Sequence, residues 1–148
     1  MIQSRAIHIL LIEDNPGDVR LTQEAFRESH LPIKLDVVMD GLEGVRFLRK
    51  QGKYEHATTP DLVLLDLNLP KMDGRQVLND IKNDPILRRI PIIVLTTSNA
   101  EHDILQCYDL HANSYVNKPV DFDHFFEVIR RVEDFWLSTS ILPSMVHA

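Results

Sequence analysis

A chain of 148 residues is sized for one domain that buries a substantial core without metal or disulfide staples, and two domains of half that length would each be too small. Its hydrophobic fraction of 44% and charged fraction of 26% exclude disorder as a description of the bulk. The formal charge of −6, with no basic run longer than the pairs Arg88-Arg89 and Arg130-Arg131, argues against direct binding of nucleic acid or an anionic membrane.

Apolar runs of four to six residues alternate with amphipathic stretches of helical period, the pattern of strands and helices in a parallel sheet. The first run, Ile7 to Ile12, is too short to span a bilayer and ends in Glu13-Asp14 without a signal-peptide pattern, which points to a cytoplasmic protein. A helix over Asp18 to Ser29 follows, with Val19, Leu21, Ala25 and Phe26 on one stripe. A second strand, Leu35 to Met39, leads to a helix over Leu42 to Lys50. The polar stretch from Gly52 to Pro60 reads as a surface loop.

The third strand, Leu62 to Asp66, runs into the turn sequence Leu67-Asn68-Leu69-Pro70-Lys71-Met72-Asp73-Gly74. Its helix, Asp73 to Lys82, is ended by Asn83-Asp84-Pro85, because the residue before proline avoids the helical region. Strand four is Ile92 to Thr96, and a weaker helix spans Glu101 to Leu110. That helix carries Cys107, a single cysteine that excludes an intramolecular disulfide, favours a reducing compartment and reads as a packed helix residue. The fifth strand is Ser114 to Val116. After Pro119 a helix capped by Asp121 or Asp123 bears Phe122, Phe125, Phe126, Ile129, Val132 and Phe135 at helical spacing. The chain therefore divides into one domain over 1–137 and a tail over 138–148, the tail being either disordered or part of a partner-binding surface.

In a parallel sheet the carboxyl ends of all strands share one edge, and open α/β sheets place their chemistry there. Glu13 and Asp14 follow the first strand, Asp66 ends the third, Thr96 ends the fourth and Lys118 follows the fifth. Any one of these acids taken alone reads more readily as a helix cap than as part of a site. Three acids with a hydroxyl and a lysine before proline are not explained that way. Clustered carboxylates repel one another unless a cation neutralises them. An all-oxygen set without histidine or cysteine suits Mg²⁺, with Mn²⁺ as the alternative.

As a set, Ile12-Glu13-Asp14-Asn15, Leu65-Asp66-Leu67-Asn68-Leu69-Pro70 with Met72-Asp73-Gly74, Leu95-Thr96-Thr97 and Tyr115-Val116-Asn117-Lys118-Pro119 resemble the receiver domain of two-component response regulators, over about residues 6 to 137. The resemblance implies a flavodoxin-like αβα sandwich with a five-stranded parallel sheet of order 2-1-3-4-5. It implies that Asp66 accepts a phosphoryl group and that Glu13, Asp14, Asp66 and the Asn68 main-chain carbonyl hold Mg²⁺. Thr96 and Lys118 would contact the phosphoryl group, Thr96 and Tyr115 would act as the switch, and the Lys118–Pro119 bond would be cis. The face made by the fourth helix, fifth strand and fifth helix would change shape on phosphorylation. Separately, Phe135, Trp136 and Leu137 late in the fifth helix and Ile141 and Leu142 in the tail exceed what one buried stripe needs; they either fold back onto the domain or point to a homodimer through that face.

Two features narrow the resemblance. The segment Ile12-Glu13-Asp14-Asn15-Pro16-Gly17-Asp18-Val19-Arg20-Leu21 and the loop ending Thr59-Pro60-Asp61-Leu62 look like the small regulators paired with bacterial phytochrome histidine kinases. No output domain fits after Trp136, so a stand-alone receiver is expected. Thr97 stands where many receivers have a small residue, and Asn68 and Ser98 occupy positions that influence hydrolysis of the aspartyl phosphate. The alternatives are a phosphorylation-independent binding module of receiver shape and a Mg²⁺-dependent aspartyl phosphohydrolase, the second disfavoured by Asn68 where such enzymes carry a second acid.

Overall fold

The computed structural model describes residues 5–146. Five strands, β1 (Ile7–Ile12), β2 (Ile33–Val38), β3 (Leu62–Leu65), β4 (Ile92–Thr96) and β5 (Ser114–Asn117), form one parallel sheet of order β2-β1-β3-β4-β5. Five α-helices connect and follow them: α1 (Pro16–Arg27), α2 (Gly41–Leu48), α3 (Gly74–Lys82), α4 (Glu101–Asp109) and α5 (Phe122–Val132). The order is the one the receiver resemblance implies.

Side chains alternate across each strand, so every central strand feeds two cores. Leu10, Ile12, Val63, Leu65, Ile92 and Val94 pack with Phe47, Val77, Ile81 and Cys107 beneath α2, α3 and α4. Ile9, Leu11, Leu62, Leu64, Ile93 and Leu95 pack with Phe26, Phe125, Ile129 and Val132 beneath α1 and α5. All residues of β1, β3 and β4 are buried, which is why those strands are apolar apart from His8 in β1 and Thr96 at the end of β4.

Helix starts follow cap chemistry. The side chain of Asn15 accepts from the Asp18 amide and Pro16 opens α1, two residues earlier than hydrophobic spacing alone indicates. Asp73 and Gln76 form a capping box at α3, and Asp121, of the two aspartates expected, caps α5. The edge strand β2 begins at Ile33 rather than Leu35, because the exposed Lys34 breaks the apolar run without breaking the pairing of Ile33 with Ile7.

One expectation is corrected and one open alternative is resolved. Among the described residues no peptide bond is cis, so Lys118–Pro119 is trans; the Lys118 amide is held by the Thr96 carbonyl at 2.8 Å in that form. Of the two alternatives for the apolar residues near the carboxyl end, Leu137 and Leu142 take the folded-back one. After α5 a π-helical turn, Glu133–Thr139, brings Leu137 and the fully buried Leu142 onto the α1–α5 core. Ser144 then donates to Asp61, whose carboxylate also takes both terminal nitrogens of Arg5 at 2.8 Å and the buried His8 amide at 2.8 Å. Phe135 and Ile141 stay exposed. Residues 147–148 of the expected tail lie outside the described residues.

Candidate functional site

The carboxyl edge of the sheet collects the predicted side chains. β1 delivers Glu13 and Asp14, with the Glu13 amide continuing the ladder to the Val38 carbonyl at 3.0 Å. The Asp66 amide binds the Ile12 carbonyl at 3.1 Å, which fixes the end of β3 beside the end of β1. One carboxylate oxygen from each of Glu13, Asp14 and Asp66 lies within 4.8 Å of the others. Glu13 and Asp66 are buried, and Asp14 is the more accessible of the three. Asn68 sits exposed at the loop mouth, its amide donating to Asp66 Oδ1 at 3.4 Å.

The first turn of α3 abuts this point. The Gly74 amide donates to the Leu67 carbonyl at 2.8 Å, and a Cβ at Gly74 would lie 2.3 Å from the Asp66 carbonyl oxygen. Only glycine permits that approach.

Lys118 enters from the loop after β5, with 4% of its side chain exposed. Its ammonium donates to Glu13 Oε2 at 2.5 Å, to Asp18 Oδ2 at 2.9 Å and to Asp66 Oδ2 at 3.3 Å. Burial opposes its charge, but the bonds to Glu13 and Asp18 and the field of Asp66 outweigh burial and hold the ammonium above the usual lysine range. Glu13 moves up to about 7, pushed by burial and by Asp66 against the opposing pull of Lys118. The cluster holds more negative charge than one ammonium neutralises. A hard divalent cation with oxygen ligands fits that donor set, and a bound cation would take over part of what Lys118 now does.

Thr96 is fully buried at the end of β4, and its hydroxyl accepts from the Ser98 amide at 3.4 Å. Tyr115 turns toward the same loop. Its hydroxyl donates to the Ser98 carbonyl at 2.8 Å, and its ring packs on the α3–α4 side of the core. Thr97 is exposed at the rim, so it does not fill the interior of the site.

Sequence reading missed Asp18, which it used only as a helix start. The usable signal was position: with Asn15 as the cap, Asp18 is in the first turn of α1 and faces back toward the strand edge that carries Glu13. It also missed Arg75 and Asp103, an ion pair of 2.5 Å between α3 and α4 that no local motif announces.

Known proteins share this arrangement over nearly the whole chain. The profile of the response regulator receiver domain matches residues 9–130. Response regulator Rcp1 of Synechocystis sp. is 47% identical over 136 residues, covering 92% of each chain. The crystal structure of the phosphorylated cyanobacterial phytochrome response regulator RcpA superposes with a TM-score of 0.92 at 50% identity, over 94% of this chain and 99% of that one. The Mn²⁺-bound form of Rcp1 gives 0.89 at 47%, over 93% and 99%.

Proposed function

This chain belongs to the response regulator receiver family, and we propose that it takes a phosphoryl group from a sensor histidine kinase onto Asp66 in a Mg²⁺-dependent reaction. One observation carries the reading. The buried Asp66 carboxylate ends β3 within 4.8 Å of the Glu13 and Asp14 oxygens and 3.3 Å from the Lys118 ammonium.

Asp66 attacks phosphorus in line, forming an O–P bond as the N–P bond of a phosphohistidine or the O–P bond of an acyl phosphate breaks. Glu13, Asp14, Asp66 and the Asn68 main-chain carbonyl would hold Mg²⁺, whose chemistry there is to screen the approach of one anion to another and offset phosphoryl charge. Lys118 is positioned to leave its carboxylate partners for a phosphoryl oxygen, and Thr96 supplies a buried hydroxyl beside it. The chain thus promotes transfer of a donor's phosphoryl group onto itself, as a phosphoacceptor in signalling. The kinase is of phytochrome type on the strength of the likeness to the phytochrome response regulator RcpA.

Exposed Leu105 and Tyr108 of α4 and Phe122 of α5 support the α4-β5-α5 face as a homodimer surface. Light scattering that shows only monomer at high micromolar concentration, with and without a phosphoryl mimic, would contradict that surface. No described helix is long and apolar enough to cross a membrane.

The test is intact mass after incubation with acetyl phosphate, with and without Mg²⁺, for the natural chain and Asp66→Asn. A single phosphoryl adduct that needs both Mg²⁺ and Asp66 is expected. Neither adduct nor released phosphate would leave a receiver-shaped binding module instead.

A further inference from the structure

The loop between β4 and α4 carries Thr96 out of the sheet, and Ser98 is its node. The Ser98 carbonyl accepts from the Tyr115 hydroxyl at 2.8 Å and from Asn117 Nδ2 at 2.8 Å, while its amide donates to the Thr96 hydroxyl. Its own hydroxyl donates to Asp103 Oδ2 at 2.6 Å. Ala100, at the cap position of α4, supplies no side-chain cap, and the loop is fastened to the helix through the Ser98 hydroxyl, which accepts from the Ala100 amide at 3.3 Å and bonds Asp103 in the first turn.

Asp103 is buried, and its other oxygen accepts from Arg75 Nη2 at 2.5 Å. Ser98 and then Arg75 hold the Asp103 carboxyl below the usual range, so it is charged at neutral pH. His102 Nε2 lies 3.4 Å from the same oxygen but is largely exposed, and Asp73, whose Oδ1 accepts from the Arg75 amide at 2.8 Å, approaches the Arg75 guanidinium only to 4.0 Å. Arg75 follows Gly74, whose amide donates to the Leu67 carbonyl at 2.8 Å and where an added Cβ would collide with the backbone of Asp66 and Leu67. A continuous chain of contacts therefore runs from the phosphoacceptor backbone through α3, Arg75, Asp103 and Ser98 to Thr96 and Tyr115.

We propose that Arg75 and Asp103 are positioning residues for phosphoryl transfer. Their ion pair clamps the amino end of α3, which abuts Asp66, to the β4–α4 loop, and so sets the Thr96 hydroxyl and the Tyr115 ring before any phosphoryl group arrives. A charge-assisted bond between two partly buried groups is shorter and stronger than a surface pair, which is what a clamp requires. The inference rests on Asp66 being the phosphoacceptor, but the placement of Tyr115 can be read without phosphorylation.

The test uses the full chain labelled with 3-fluorotyrosine, which reports on three sites, Tyr54, Tyr108 and Tyr115. Tyr115 is assigned by its absence in Tyr115→Phe, and an unmoved Tyr54 signal certifies the fold. Arg75→Met and Asp103→Asn should each shift the Tyr115 resonance in the unphosphorylated protein. Each should also slow adduct formation from acetyl phosphate and Mg²⁺ by roughly 3- to 30-fold. The double variant restores charge balance and should be no slower than the slower single, with Arg75→Lys recovering part of the rate.

An unchanged Tyr115 resonance and rate in the singles would overturn the clamp. So would a double variant at the wild-type rate, since that assigns the effect to long-range charge. Failure of the Asp66 reading looks different: the wild type itself forms no Asp66-dependent adduct, and the Tyr115 resonance alone then decides the clamp.

Discussion

Replacing Gly74 by alanine places a methyl group where the backbone of Asp66 already is. The added Cβ would sit 2.3 Å from the Asp66 carbonyl oxygen and 2.6 Å from Leu67 Cα. Both are backbone atoms, so no side chain can swing aside. Gly74 does not have a positive φ, and alanine suits its conformation, which leaves the clash as the whole cost. Restoring ordinary contact, at about 3.4 Å or more, requires α3 and the Asp66 loop to separate by about 1 Å. Overpacking of that kind costs about 1–3 kcal/mol. A displacement of about 1 Å at a reacting group costs up to roughly 100-fold in rate.

The assay is the initial rate of phosphoryl adduct formation from acetyl phosphate and Mg²⁺ by intact mass, beside the urea midpoint. Gly52→Ala is the control: Gly52 has φ +58 and a Cβ added there would meet nothing within 4 Å, so alanine costs about 1–2 kcal/mol of backbone strain without touching the site. Expected is a slow Gly74→Ala and a Gly52→Ala of similar stability and normal rate. A Gly74→Ala variant that reacts within twofold of wild type would refute the reasoning that α3 sets the position of Asp66.

Three further outcomes follow from the same geometry. Asp14→Asn removes one carboxylate from the acidic cluster and should weaken Mn²⁺ binding, read by water-proton relaxation, by about tenfold or more, whereas Lys118→Met removes a competing cation and should strengthen it; equal affinities would contradict the site. Asp61 is lowered below the usual carboxylate range: burial opposes its charge, but bonds from Arg5, Ser144 and the His8 amide outweigh burial. Its stabilising effect is therefore present above pH about 4 and lost as pH falls through the folded value, so Asp61→Asn should cost about 1–3 kcal/mol in urea melts at pH 7 and far less near pH 3. Leu142→Ala should cost about 2–3 kcal/mol because the side chain is fully buried against the α1–α5 core, and a loss under about 0.5 kcal/mol would mean that the segment does not pack there.

Most of the fold was legible because β1, β3 and β4 are covered on both faces, and such strands announce themselves as apolar runs between turn residues. The site was legible for a related reason. Strand ends in a parallel sheet share an edge, so Glu13, Asp14, Asp66, Thr96 and Lys118 could be brought together without coordinates. What stayed hidden depended on helix rotation and long-range packing. Asp18 reaches Lys118 across 100 residues of chain, and Arg75 meets Asp103 only because α3 and α4 lie side by side. Leu142 was hidden by the π-helical turn, which changes the direction of the chain after α5 in a way no periodicity signals.

Asp61 precedes β3 and Asp66 follows it, so the two aspartates stand at opposite poles of the molecule, separated by the length of a four-residue strand. Arg5 and Ser144 both bind Asp61, so the two described ends of the chain leave from one spot at the pole remote from the reaction. A tether, tag or fluorescent reporter joined at either end starts on the far side from the acidic cluster and leaves the mouth of the site open to a donor. Because those ends are neighbours, they could also be stitched together and the chain reopened near Gly52, giving a rearranged receiver with its reactive pole intact.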